Sequence, residues 1–108
     1  MTELAHGQVW WVDLPGDKVR PVIVLTRGRV APLLRHVLVA PVTSRVRGIA
    51  TEVSLGPDEG LRDGSVANLD NVQLVPVDRL LQQTGDVAEE RWPEFCAAMH
   101  RVMACRPS

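Results

Sequence analysis

The chain has 108 residues, of which 45% are hydrophobic and 23% charged, with a formal net charge of −1. That composition is too apolar for a disordered chain, and the length suits one domain, expected to span 1–108 with an ordered core over about 7–104. The longest apolar runs, such as Val37 to Val42, fall far short of the ~20 residues needed to span a membrane, and Met1 to Gln8 has neither the basic nor the apolar region of a secretory leader.

In chain order, Gly7 opens the first element. Gln8 to Leu14 is β-branched and aromatic, and Pro15-Gly16-Asp17 reads as the turn that ends it. Arg20 to Thr26 is a second strand, with Pro21 at its start, where a missing amide proton is tolerated. The unbroken run Val22 to Leu25 predicts burial on both faces. Gly28 to Leu34 is a connection with room for one helical turn. His36 to Val42 is a third strand, and Thr43 to Gly48 a polar, basic loop. Thr51 to Leu55 alternates, as a half-exposed strand does. Gly56 to Gly60 is a turn cluster. Ser65 to Leu69 and Val72 to Val77 are two more strands, and Leu80 to Thr84 another candidate.

The final element has helical periodicity: Trp92, Phe95, Cys96, Met99, Val102 and Met103 form one stripe. Asp86 and Glu89 have capping-box spacing, but Pro93 removes a helix hydrogen bond. Either the regular helix begins near Glu89 or it bends at Pro93. The pattern predicts an α+β, mostly β fold: a small, strongly curved, barrel-like antiparallel sheet with a C-terminal amphipathic helix. One helix leaves apolar surface over, which a second copy could cover. Cys96 and Cys105 lie nine residues apart, on opposite faces of a helix, and read as reduced thiols of a cytosolic protein, with Cys96 in the core.

Charge is unevenly placed. Residues 1–50 hold seven Lys/Arg against three acids, and residues 51–108 hold five against ten. No acid occurs from Lys18 to Arg47. That stretch is either a solvated surface or the footprint of a phosphate-bearing partner.

Several chemistries find no support. Zinc needs clustered ligands, and there is no C-x-x-C or H-E-x-x-H. His6, His36 and His100 are scattered over the N-terminal tail, a partly buried strand and the flank of the last helix. A two-metal nuclease needs convergent acids, which the basic half lacks. Nucleotide-binding glycine loops and a G-x-S-x-G elbow are also absent. No metal or cofactor is therefore expected. What remains is Arg20, before the second strand, and Thr43-Ser44, after the third. If those strands are antiparallel neighbours, a guanidinium and two hydroxyls meet at one sheet edge, with Arg45 and Arg47 nearby. Such a set suits a phosphodiester, although an arginine at a strand start and a Thr-Ser turn are also common.

Three ordered motifs carry a resemblance over about residues 7–104. Gly7 to Leu14, Arg20 to Leu25 and Val39-Ala40-Pro41-Val42-Thr43-Ser44 resemble the MazF/PemK toxins of bacterial toxin–antitoxin pairs. Glu52 to Leu55, Ser65 to Asn71 and the terminal helix fit the same order. The resemblance implies an SH3-like, CcdB-like fold, a homodimer, and a metal-independent endoribonuclease that cuts single-stranded RNA (mRNA, tRNA or rRNA) in the cytoplasm. It also implies a cognate antitoxin with a disordered C-terminal segment. The family's catalytic arginine matches Arg20 and its catalytic hydroxyl matches Thr43.

Departures are visible. The loop from Pro15 to Val19 is short and has no histidine. Asn68 stands where some members have arginine, Asp70 is kept, and Asn71 replaces a frequent glutamine. Acid–base assignments from those branches therefore do not carry over, and His36 and Asp70 are left as candidates for the base. Lys18, Ser44, Arg45, Arg47, Asp70 and Asn71 are expected to bind RNA. Trp11 is either a base-stacking platform or a core or interface tryptophan. The rival reading is a non-catalytic module of the same fold that blocks a protein such as DNA gyrase.

Overall fold

Seven strands and one helix organise residues 4–14 and 16–105, the part of the chain that the computed structural model describes. The strands are β1 (Gln8–Val12), β2 (Arg20–Val24), β3 (His36–Thr43), β4 (Glu52–Leu55), β5 (Ser65–Asn68), β6 (Gln73–Pro76) and β7 (Leu80–Asp86); the helix is α1 (Trp92–Val102). The strands pair antiparallel in the order β4-β5-β3-β2-β1-β7, and β6 also pairs with β3. This is the expected mostly β fold with a C-terminal helix. The sheet is open, however: β4 and β7 end the path, and no pairing joins them into a barrel among the described residues.

β3 is the axis. One edge takes β2 along Val39 to Pro41. The other edge is shared: β6 pairs with His36 to Val39, and β5 pairs with Val42 and Thr43. The run without polar alternation in β2 and β3 is explained by two cores, one on each face of the sheet. Val22, Val24, Val37 and Val39 join Val12, Ala31 and Val75 on one face. Ile23, Ala40 and Val42 join Val53, Leu55, Ala67, Leu69 and the helix residues Phe95 and Ala98 on the other. Successive strand side chains point to opposite faces, so both faces must be covered.

Pro93 neither bends the helix nor sits in its interior. A 3₁₀ turn over Glu89–Arg91 precedes α1, which starts at Trp92 and holds Pro93 in its first turn. There the missing amide proton costs no hydrogen bond. The Asp86–Glu89 capping box does not form, because Asp86 is the last residue of β7 and the chain enters the helix without a side-chain cap. Pro15, part of the expected first turn, lies outside the described residues.

Three further expectations are corrected. Cys96 is exposed, because α1 buries Phe95 and Ala98 and turns Cys96 outward; Cys105 lies beyond the end of the helix, and both thiols are free. His6 is no frayed tail: its Nδ1 accepts from the Gly28 amide at 3.1 Å and its ring lies 5.1 Å from that of Trp92. His36 is exposed at the start of β3 rather than partly buried.

Candidate active site

The β2–β3 register builds the site. Val22 pairs with Pro41 and Val24 with Val39. Continued by two residues, the same register sets Arg20 opposite Thr43, and cross-strand partners project from one face. Both side chains line a cleft of about 620 Å³. β1 adds Trp11, whose backbone pairs with Pro21, another lining residue. Val42 and Ser44 extend the same wall from the end of β3.

Arg20 has one carboxylate partner and one unpaired donor. Its Nη2 donates to Asp17 Oδ1 at 3.0 Å, an ion pair across the short β1–β2 loop. Its Nε is buried and has no hydrogen-bond partner among the described residues. A buried unpaired donor is costly unless a ligand or water satisfies it. Nε and Nη2 form one edge of the planar guanidinium, the edge that grips a phosphate through two parallel hydrogen bonds.

Thr43 is poised as a donor. Its Oγ1 accepts from the Arg45 amide at 3.1 Å. A hydroxyl that accepts in this way keeps its proton for a second partner. The same contact curls the chain at the end of β3 and makes the neighbouring Ser44 part of the cleft.

Sequence reasoning missed the second wall. Gly60, Leu61 and Arg62, from the β4–β5 connection, and Ser65, the first residue of β5, complete the cleft. This connection is pinned from behind. Glu59 is 4% exposed; its Oε1 accepts from the Gly56 amide at 2.7 Å, and its Oε2 lies 3.4 Å from Arg91 Nη1. Arg91 Nη2 also donates to the Ser54 carbonyl at 2.6 Å, and Arg91 pairs with Glu94 at 2.9 Å. The hydrogen bond to Glu94 raises the Arg91 pKa, and the same bond lowers that of Glu94. Gly60 has φ +76°, and a Cβ there would stand 2.2 Å from the Thr84 carbonyl oxygen. The signal available in the sequence was Glu59 with Gly60, a buried acid before a left-handed glycine, but its partner Arg91 lies over thirty residues away.

The other candidates do not line the cleft. Lys18 is exposed in the β1–β2 loop, where its amide donates to Asp17 Oδ1 at 2.7 Å. Arg45 and Arg47 are exposed in the loop after β3. That loop is tied to the acidic half, since Glu52 Oε1 accepts from the amides of Arg47 at 3.1 Å and Gly48 at 2.9 Å. Asp70 and Asn71 occupy a 3₁₀ turn between β5 and β6, and the Thr51 hydroxyl donates to Asp70 Oδ2. His36 and Thr43 mark the two ends of β3, so at ~3.3 Å per residue they stand on the order of 20 Å apart. Within one chain His36 therefore lies far from the cleft that Thr43 lines. The antiparallel β2–β3 turn also splits the basic stretch. Lys18, Arg20, Arg45 and Arg47 gather at the cleft end, and Arg27, Arg29 and Arg35 at the other. Among the described residues, no three His, Cys, Asp or Glu side chains cluster as a metal site would require.

The sequence pattern of the PemK-like, MazF-like toxin of type II toxin–antitoxin systems matches residues 5–103. The chain belongs to this family. Among similar members, a probable endoribonuclease MazF5 of Mycobacterium tuberculosis is 40% identical over 97% of this chain and 98% of its own length. Endoribonuclease MazF3 of the same organism is 45% identical over 77% of this chain and 81% of its own. The solved Mycobacterium tuberculosis toxin MazF-mt6 superposes with a TM-score of 0.86 at 38% identity, over 93% of this chain and 99% of that one. A mycobacterial endoribonuclease solved with its cognate antitoxin shares the fold, with a TM-score of 0.87 at 23% identity over 97% and 99% of the two chains. In this MazF-like toxin, Arg20 and Thr43 line one cleft.

Proposed function

We propose that this toxin cleaves single-stranded RNA at short sequences, with Arg20 and Thr43 acting on the scissile phosphate. Membership of a toxin family, with relatives named endoribonucleases at 40% and 45% identity, makes it an endoribonuclease toxin of a toxin–antitoxin pair. In the proposed reaction a ribose 2′-hydroxyl attacks the adjacent phosphorus and loses its proton. The bond from phosphorus to the 5′-oxygen breaks, and that oxygen takes up a proton. The products are a 2′,3′-cyclic phosphate and a 5′-hydroxyl.

The observation that carries this reading is that Arg20 and Thr43 line one open cleft, with the Arg20 Nε donor unpaired. Negative charge builds on the phosphate oxygens in the transition state, and fixed donors aimed at it lower the barrier. Arg20 supplies the charged donor and Thr43 the neutral one. No carboxylate or imidazole lines the cleft among the described residues, so rate enhancement rests on phosphate binding and charge stabilisation. Trp11 offers a ring for base stacking, and Lys18, Arg45 and Arg47 hold the backbone farther out. Asp70 and Asn71 serve base recognition from the β5–β6 turn.

The proposed unit is one domain that pairs as a homodimer and works in the cytoplasm, where RNA is exposed. Leu25, Leu38, Trp92, Phe95 and Met99 line an apolar groove that a second copy would cover. Among the described residues, no helix is long and apolar enough to cross a membrane. An antitoxin with a disordered tail would fold over the cleft as a competitor of RNA.

The test is cleavage of a mixed-sequence single-stranded RNA by purified protein in EDTA, with the product ends mapped. Cyclic phosphate and 5′-hydroxyl ends are expected. No cleavage at stoichiometric protein overturns the reading in favour of a binder that blocks a protein target.

A further inference from the structure

We propose that Arg62 is a second RNA-phosphate ligand of the cleft, holding the phosphate next to the one at Arg20 and Thr43. This rests on reading the cleft as an RNA-cleaving site. Three observations carry it. First, Arg62 lines the same cleft as Arg20 and Thr43, from the β4–β5 connection rather than from β2 or β3, whereas Lys18, Arg45 and Arg47 do not line it. Second, among the described residues its guanidinium has no ion pair and no hydrogen bond, unlike Arg20 and Arg91, which are both held by carboxylates. The neighbouring acid, Asp63, turns back towards Gly56.

Third, the backbone that presents Arg62 is held on every side. Its carbonyl accepts from Ser65 Oγ at 2.7 Å and from the Ser65 amide at 3.3 Å. Two residues earlier, the Gly60 carbonyl accepts from Thr84 Oγ1 at 3.3 Å, and before that Glu59 is anchored to Arg91. A Cβ on Gly85 would lie 2.2 Å from the Glu59 carbonyl oxygen, so the wall and β7 touch backbone to backbone. A cation on a fixed support meets a ligand with less ordering cost than one on a free loop. The cleft that the strand ends and Arg62 line together holds about 620 Å³, room for more than one phosphate group. Successive phosphates of an extended strand would then engage the two walls in turn.

The experiment uses the full chain and an RNA oligonucleotide carrying its mapped cleavage site. A 2′-deoxy ribose at that site blocks cleavage for the binding measurements. Each single-strand phosphate neutralised steepens the dependence of log K on log salt by about 0.7. Arg62→Gln should flatten the slope by about that amount and raise KM about tenfold, with kcat changed far less. Arg62→Lys should keep the slope. A neutral methylphosphonate placed at each linkage flanking the site, one at a time, should erase the difference between wild type and Arg62→Gln at one linkage only. An unchanged salt slope and KM in Arg62→Gln overturns the assignment. So does a difference that survives every neutral linkage. Arg20→Ala separates the two levels: wild-type cleavage by that variant removes the site itself, whereas a dead Arg20→Ala beside an unaltered Arg62→Gln removes only the second phosphate.

Discussion

Asp17 holds the Arg20 guanidinium by one nitrogen, Nη2 at 3.0 Å, and leaves the adjacent Nε unpaired. Nη2 carries two N–H bonds, so a phosphate gripping Nε and Nη2 need not displace Asp17, but it competes with that carboxylate for the guanidinium charge. The pair is exposed, with side-chain accessibilities of 39% and 41%, so its strength is modest. Asp17→Asn should therefore lower KM for RNA by a factor of about 2 to 5, the range of an exposed ion pair. Steady-state kinetics at low salt read this, and a raised KM would mean that Asp17 positions Arg20 rather than competing for it.

Arg20→Ala should leave a folded protein with activity reduced on the order of 10²–10³, the usual effect of losing one preorganised donor to a developing oxyanion. Thr43→Ala should lose less, because a neutral donor is weaker than a charged one and Ser44 lines the same cleft. Single-turnover cleavage compares the two. A Thr43 variant less active than the Arg20 variant would reverse the division of roles.

Gly85→Ala should destabilise the fold and disturb the cleft together. Its Cβ would meet the Glu59 carbonyl at 2.2 Å, with backbone on both sides and no flexible side chain to yield. Overpacking of this kind costs about 1–3 kcal/mol, or a Tm lowered by about 4–8 °C for each kcal/mol in a domain of roughly this size. Thermal unfolding monitored by circular dichroism measures it. A Tm equal to wild type would show that the two backbones are not in contact.

The pH dependence follows from Glu94. Arg91 lowers its pKa in the folded state through their hydrogen bond. A carboxylate with a lowered folded pKa stabilises the protein fully above its unfolded value, ~4.3, and loses that contribution as pH falls through the folded value. Glu94→Gln should thus cost a little stability at pH 7, within about 1 kcal/mol for a half-exposed pair, and progressively less as pH falls through the folded value. Urea midpoints across that range test the sign. A deficit that persisted in acid would trace to packing rather than charge.

Met99→Glu should leave the sheet folded and turn a dimer into a monomer. Met99 lines the apolar groove with Leu25, Leu38, Trp92 and Phe95. Burying an unpaired carboxylate in such a contact opposes association. Sedimentation at micromolar concentration distinguishes the species, and a monomeric wild type would count against the second copy.

The sequence by itself determined the strands, the helix and the central pair. β-branched runs, turn residues and the 3.6-residue stripe are local signals, and they located β1 to β7 to within a few residues. Arg20 and Thr43 could be brought together on paper because a strand start and the end of its antiparallel neighbour must adjoin. Tertiary structure alone decided the rest. The open sheet depends on which edges pair across dozens of residues. The division of the basic stretch between two ends of β2 and β3 follows from their register, not from the spacing of charges along the chain. The second wall required Glu59, Thr84, Gly85 and Arg91 to meet. These contacts join segments far apart in sequence, and their side-chain types give no local sign of one another. Arg62 enters the cleft for that reason, although it belongs to the acidic half of the chain.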